Sequence, residues 1–427
     1  MSLLVLKNFR IADETTDSFG SVVAEDGVIR NVCINSGSGS EINSAEKNEG
    51  IVIDGSKQNL VLMPAFVDLH AHFRDPGCHE KEARMPSEVL ESASLAAAAG
   101  GYGTVICMAN TKPVTDTIAQ AGSIKTRSDA LGLIDLYPCL SLTKGMEGRE
   151  LSEITLLREK PEADSVVLLV SEDGRDVADD RLFLAAMTEA CRIGIPVSCH
   201  CDLGGENNAT KRVLELGKQP RCRLHIAHVS TKEAISMIRE AKKIFANLTC
   251  EVTPHHLALT AEAAAAMGEE THGRVNPPLR TEEDRRALIS AIIDNTVDAI
   301  ATDHAPHTRT DKENGAPGFT GLETAFAVCY STLVLPGFIG LSKLSSLMSA
   351  APARILGLGS NNCSGRGRIA PGMRADFAIA DLAETWTIST SAFMSRGKNS
   401  PFAGRECNGR IVKTILNGRI VYERSKS

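Results

Sequence analysis

At 427 residues, 43% hydrophobic, 23% charged and 4% aromatic, the chain is too long for one small core and too apolar for a disordered one. That leaves two domains, or one large α/β domain with an appendage. A formal net charge of −7 and a pI near 5.9 give no overall attraction to nucleic acid or an anionic membrane, so a small-molecule function is favoured.

The start, Met1-Ser-Leu-Leu-Val-Leu-Lys7, has no basic segment followed by a long apolar core, and no later run approaches the ~20 apolar residues of a membrane span. A cytoplasmic location is therefore expected. The 12 cysteines are scattered, mostly in apolar runs (Cys107, Cys139, Cys199, Cys250), as reduced buried thiols are. Cys199-His-Cys201 looks like a zinc-knuckle fragment, but no second pair at finger spacing accompanies it.

In chain order, residues 3–6, 21–24, 28–34 and 51–53 read as short strands, and residues 36–50 as a polar loop among them. From residue 60 strands alternate with helical stretches. The strands are expected at 60–70, 102–108, 133–142, 165–171, 196–200, 223–229, 247–253 and 297–303. Helices are expected at 87–99, ending at Gly100-Gly101, and at 180–193, 231–245 and 282–294, where apolar residues recur near helical spacing. Eight strands over about 250 residues fit a (β/α)8 barrel. A doubly wound sheet uses the same alternation, but no glycine-rich dinucleotide loop follows the first strand. After a helix at 341–356, strands return at 377–380, 411–416 and 420–422 with hairpin-like turns at Ala370-Pro-Gly372 and Asn417-Gly418. The expected architecture is a (β/α)8 TIM-like barrel over 60–357, with a small β-sandwich domain built from both chain termini, 1–59 and 358–427.

Barrel chemistry sits where strands end. Strand one ends in His70-Ala-His72-Phe-Arg74, whose alternate side chains face one way. A His-x-His pair alone is as readily chance as a metal site. Other strand ends carry Asn110, Asp173, His200, His228 and Asp303. For His225, His255, His256 and Glu172 a bland role serves: a satisfied core histidine, a turn cap, a solvent-facing carboxylate. Chance does not place His70, His72, Asp173, His200, His228 and Asp303 together at barrel strand ends. That set is the inventory of a mononuclear or binuclear Zn2+ hydrolase.

The sequence resembles the cyclic amidohydrolases and, within them, the dihydroorotase family of the bacterial monofunctional type. The residues that carry it are Asp68-Leu-His-Ala-His-Phe-Arg-Asp-Pro-Gly77, Met108-Ala-Asn-Thr111, Glu172-Asp-Gly174, Asn276-Pro-Pro-Leu-Arg280, Ala301-Thr-Asp-His-Ala-Pro-His307 and Gly321-Leu-Glu-Thr324. The similarity continues through Gly365-Arg-Gly-Arg-Ile-Ala-Pro-Gly372. It implies one metal on His70 and His72 with Asp303 nearby, a second on His200 and His228, and Asp173 as the bridge. Asp303 would also be the catalytic proton carrier. Arg74 and Asn110 would hold the substrate carboxylate, Asn276 and His307 would contact its ring or carboxylate, and Pro317 and Gly318 belong to the substrate loop.

In related hydantoinases and allantoinases a carboxylated lysine takes the bridging place; Lys144, the nearest lysine, follows a different strand. Departures from the family are Ala109 for the usual proline, Glu172 for aspartate, a loop at Pro317-Gly318-Phe319 one residue short, and a longer segment at 78–86. The implied function is reversible, metal-dependent hydrolysis of (S)-dihydroorotate to N-carbamoyl-L-aspartate in pyrimidine biosynthesis. It implies one or two Zn2+ ions per subunit, a small-molecule substrate, a homodimer, and room for association with aspartate transcarbamoylase. The alternatives are another cyclic amidase, or an inactive homologue supporting that transcarbamoylase.

Overall fold

The computed structural model describes residues 2–34, 50–56, 60–77, 87–159, 166–269, 272–360 and 364–425. The expected loop over 36–50, apart from Gly50, and the long segment at 78–86 lie outside them. In order the strands are β1 (Leu3–Ala12), β2 (Asp17–Glu25), β3 (Val28–Ile34), β4 (Ile51–Asp54), β5 (Leu60–Pro64), β6 (Phe66–Ala71), β7 (Tyr102–Cys107), β8 (Asp135–Pro138), β9 (Val170–Ser171), β10 (Val197–Cys199), β11 (Leu224–Ile226), β12 (Leu248–Val252), β13 (Ala299–Ile300), β14 (Phe377–Thr387), β15 (Glu406–Leu416) and β16 (Arg419–Glu423).

The run 60–70, expected as one strand, is two. The N–H of Ala65 donates to Asp376 O (3.0 Å) and that of Phe66 to Gly101 O (2.9 Å), so successive amides commit the chain to different sheets. β5 pairs with β1 and β14 in the terminal sheet, while β6 starts the barrel beside β7. The terminal sheet is one ladder, β16-β15-β14-β5-β1-β2-β3, with β4 on β1, so both ends of the chain are tied together. Its own core includes Leu6, Phe9, Ile11, Ile29, Met373 and Phe377.

The barrel strands form two parallel groups among the described residues, β6-β7-β8 and β9-β10-β11-β12-β13. They meet through isolated parallel bridges, Leu140 with Val170 on one side and Ala71 with His304 on the other. The second seam is closed from within. The carboxylate of Asp68, fully buried, accepts from Thr302 N (3.0 Å) and Thr302 Oγ1 (2.5 Å), and burial pushes it up to about 7.

Each barrel strand is shorter than expected, because its outer residues turn away into loops that carry the polar groups. The helix Asp180–Ile193 matches the sequence reading: Asp179 caps its first amides, Gly194 ends it at φ 87°, and Phe183, Ala186, Met187 and Ala190 form its buried stripe. The helix expected over 341–356 is interrupted by a π turn at Ser346–Ala350, just before Pro352, which has no N–H to donate back. Among the described residues no helix is long and apolar enough to cross a membrane.

The sheet and the barrel are locked by buried charges. Asp135, on β8, meets Arg366 and Arg374 at 2.5 and 2.6 Å, and Arg374 also reaches Asp376 at 3.0 Å. Burial pushes the Asp135 carboxyl up, but the two guanidiniums outweigh it and hold it below its ordinary range. Asp135→Ala would leave two largely buried guanidiniums short of a partner, an expected loss of about 3 kcal/mol in urea unfolding. For wild type, a depressed folded-state value means this contribution is present at neutral pH and fades as acid protonates Asp135. A variant within about 0.5 kcal/mol of wild type would mean Asp376 suffices alone.

Candidate active site

Six side chains from five strand ends converge on one cluster. His70 Nε2 lies 3.0 Å from Asp173 Oδ1 and 3.7 Å from Asp303 Oδ1; His72 Nε2 lies 3.2 Å from Asp303 Oδ1 and 3.5 Å from Asp173 Oδ2. His228 Nε2 is 4.0 Å from Asp173 Oδ1. His200 packs on His228 with ring centroids 4.4 Å apart, and its Nε2 is 3.5 Å from Asn276 Nδ2. Two donor sets are compact enough to grip an ion: His70, Asp173 and His228, and His70, His72 and Asp303. His200 is adjacent to the first without belonging to it. All six side chains are buried.

Two of the four imidazoles, His70 and His72, are aimed by partners on their far sides. His70 Nδ1 donates to Glu251 Oε1 (3.2 Å), and His72 Nδ1 to Asn110 Oδ1 (2.9 Å). Each Nε2 is thereby left with its lone pair toward the carboxylates, the tautomer a metal ligand needs. Among the described residues His70 Nε2, Asp173 Oδ1, His200 Nδ1 and His228 Nδ1 make no hydrogen bond, although His70 Nε2 and Asp173 Oδ1 are only 3.0 Å apart. With the rings neutral, nitrogen lone pairs and carboxylate oxygens face one another across a buried space, a donor set that fits a divalent ion.

The two carboxylates draw positive charge toward themselves. Burial pushes Asp173 up, yet His70, His72 and His200 bring it well below its usual range; Asp303 is likewise lowered, by His72, His70 and His228 against burial. Burial would lower His70, but Asp173, Glu251 and Asp303 raise it well above its ordinary value. His228, facing other imidazoles, is pushed down by burial and by His200 and His70.

Above the cluster a cavity of ≈ 260 Å³ is lined by His72, Arg74, Asn110, Asp173, His200, Asn276, Asp303, His307, Pro317 and Gly318, among others. Thus all six residues expected to meet substrate share one wall with four of the expected metal ligands, while His70 and His228 lie outside that lining. Arg74 brings a guanidinium to 3.5 Å from His307 Nε2. His307 is held down to about 3 by burial and by Arg74, and its neutral ring donates from Nε2 to Pro317 O (2.8 Å). Asn110 is partly committed: besides accepting from His72 it donates to Asp173 Oδ2 (3.1 Å). Gly318 has φ 134°, and a Cβ there would lie 2.6 Å from Ala305 Cβ, so only glycine lets this loop press onto the site. Arg74, His228 and Asp303 have φ of 55°, 30° and 46°, strained values for non-glycine residues.

Some sequence expectations change. Glu172 does not face solvent: it is buried and accepts from Leu142 N (2.9 Å) and Thr143 N (3.0 Å), satisfying a loop. His225 is a core histidine, bonded to Thr249 and facing Glu251 at 3.1 Å. His256 bonds Thr253 Oγ1 and Pro277 O, bracing the loop of Asn276. Lys144 pairs with Glu150 at the surface. Cys199 and Cys201 are free, and burial drives both thiols well above their ordinary value, against thiolate ligation. Glu251 was not anticipated as a site residue; its signal is a carboxylate inside the apolar strand Leu248–Val252.

A barrel with an imidazole–carboxylate cluster at the ends of its strands is the frame of a metal-dependent hydrolase. The chain belongs to the amidohydrolase family, whose model matches residues 61–421. Within it the chain groups with dihydroorotases: it is 38% identical to that of Clostridium botulinum (strain Eklund 17B / Type B), over 99% of this chain and 100% of the relative. It is also 38% identical to that of Anaeromyxobacter dehalogenans (strain 2CP-C), over 94% and 95%. The L-hydantoinase (dihydropyrimidinase) structure from Arthrobacter aurescens shares the fold, with a TM-score of 0.84, 23% identity and coverage of 100% and 97%.

Glu251→Gln keeps the shape but removes the charge that orients His70. The expected result is a roughly 10–100-fold weaker hold on metal, read by competition with a chelator at unchanged fold. Wild-type retention would show that Asp173 alone fixes the ring.

Proposed function

We propose that this protein catalyses the reversible hydrolysis of the ring amide of (S)-dihydroorotate to N-carbamoyl-L-aspartate, in pyrimidine biosynthesis. The observation that carries it is the guanidinium of Arg74, two residues beyond His72, in the cavity that the carboxylate–imidazole cluster also lines. An always-charged group with planar paired donors selects an acidic ring over a neutral one. Asp173, where the resemblance puts a carboxylated lysine in hydantoinases and allantoinases, favours the same substrate.

In this reading His70, His72, Asp303 and Asp173 would hold one divalent ion, and His200, His228 and Asp173 would hold a second. Nitrogen and carboxylate donors suit zinc. Bound there, such an ion would acidify the attacking water and polarise the amide carbonyl.

The rest falls to the side chains. Asp303 takes the proton of the attacking water and passes it to the ring nitrogen as the C–N bond breaks; in the closing direction it runs the same transfer backwards. Arg74, with the amide N–H that Asn110 does not give to Asp173, holds the substrate carboxylate. Asn276 Nδ2 and the His307 ring contact the ring or its carboxylate, and Pro317 and Gly318 close the wall. Following the family it resembles, the reading includes a cytoplasmic homodimer able to associate with aspartate transcarbamoylase.

The deciding assay sets dihydroorotate against hydantoin and allantoin on the isolated, metal-analysed chain; dihydroorotate alone should turn over, and preference for either other ring would sink the reading. Asp303→Asn should abolish turnover, at least ~10³-fold, while metal remains bound. Arg74→Met should cut kcat/KM for dihydroorotate by roughly 10²-fold, mainly through KM; an unchanged KM would put the anion site elsewhere. Zinc below one equivalent after gentle purification would count against the ligand set.

A further inference from the structure

Lys312 stands among the largest fully buried side chains of the protein, 1% exposed, on the short helix Arg309–Glu313 that follows His307. Burying an ammonium is costly unless each of its donors finds an acceptor. Here Nζ donates to Arg274 O (2.7 Å), Ala316 O (2.9 Å) and Gly318 O (3.1 Å), with the Phe319 ring face 5.3 Å away. Three donors meet three carbonyls. Burial lowers the ammonium to about 8, so it is still mostly charged at neutral pH.

The three carbonyls belong to two loops. Arg274 lies two residues before Asn276, and Ala316 and Gly318 bracket Pro317, so the ammonium sits behind the wall that Asn276, Pro317 and Gly318 present to the cavity. Among the described residues no strand ladder joins these loops; a direct backbone link is Gly318 N to Arg274 O (3.0 Å). On its other side the second loop is held by Asn399, which donates to Gly318 O (2.9 Å) and accepts from His307 N (3.0 Å). Losing the ammonium would therefore loosen one loop against the other without stripping either from the fold. A methionine would fill much the same space with no charge to desolvate, so what the charge contributes is placement.

We propose that Lys312 is a positioning residue that fixes the spacing between the Asn276 loop and the Pro317–Gly318 loop, and so the fit of the acidic ring substrate, without touching it. The substrate named rests on the dihydroorotase reading; the loop restraint does not.

The test compares Lys312→Met and Lys312→Gln with the wild-type metalloenzyme by steady-state kinetics on dihydroorotate, metal content, and hydrogen exchange of peptides covering 272–280 and 314–320. The expected result is a KM raised about tenfold or more, kcat within about threefold, unchanged metal, and faster exchange in both peptides. A folded variant with wild-type KM, or one that loses kcat at constant KM, overturns the assignment. So does a failure of both variants to fold, which would make Lys312 a determinant of stability. If wild type does not turn over dihydroorotate, the substrate reading fails by itself, and the exchange measurement still decides the restraint: unchanged exchange in both loops overturns it.

Discussion

The arrangement turns on one buried carboxylate. Asp173 faces His70 at 3.0 Å, His72 at 3.5 Å and His228 at 4.0 Å, and accepts from Asn110 at 3.1 Å, so it touches groups from the ends of β6, β7 and β11 while standing past the end of β9. A carboxylate in such a place has two ways to avoid its desolvation cost: become neutral, or gather positive charge and donors. Its value is driven down rather than up, which means that the neighbours win. The strands have to bring those neighbours to it, and the barrel is the device that lets widely separated parts of the chain end around one point.

Convergence alone does not make imidazoles ligands; each ring also has to turn the correct nitrogen inward. Glu251 does this for His70 and Asn110 for His72, both from behind. Glu251 is itself lowered to about 2, against burial, by the two histidines it bridges, His225 and His70. The backbone contributes as well. Left-handed φ at Arg74, His228 and Asp303 each cost on the order of 1–3 kcal/mol, and they are sustained by a rigid surround that includes the Asp68–Thr302 seam just beneath Asp303.

What was legible in the sequence was the part governed by short-range rules. Strands alternating with helices, and polar residues following apolar runs, are written locally, so the barrel and its six-residue cluster could be read from spacing. The break at Ala65 was not, because residues 60–70 are apolar throughout and only the distant amide partners Asp376 and Gly101 divide them. Glu172 could not be separated from a surface carboxylate, since its donors are amides of a loop some 30 residues earlier. Glu251 and Lys312 were missed for a common reason. Each acts through groups far away in the chain, and a charged residue in an apolar strand or a five-residue helix gives no periodic signal.

The same division runs through the site itself. The carboxylate–imidazole cluster stands at strand ends, where backbone ladders fix it. The wall facing it is made of loops, 272–280 and 305–319, held by an ammonium, an asparagine side chain and one close-packed glycine rather than by ladders. Loops held by side chains can be re-spaced by changing a single residue, without disturbing the strands that carry the cluster. The spacing of that wall can therefore change while the cluster stays in place, and the residues that set it are to be sought behind the loops as well as on their cavity face.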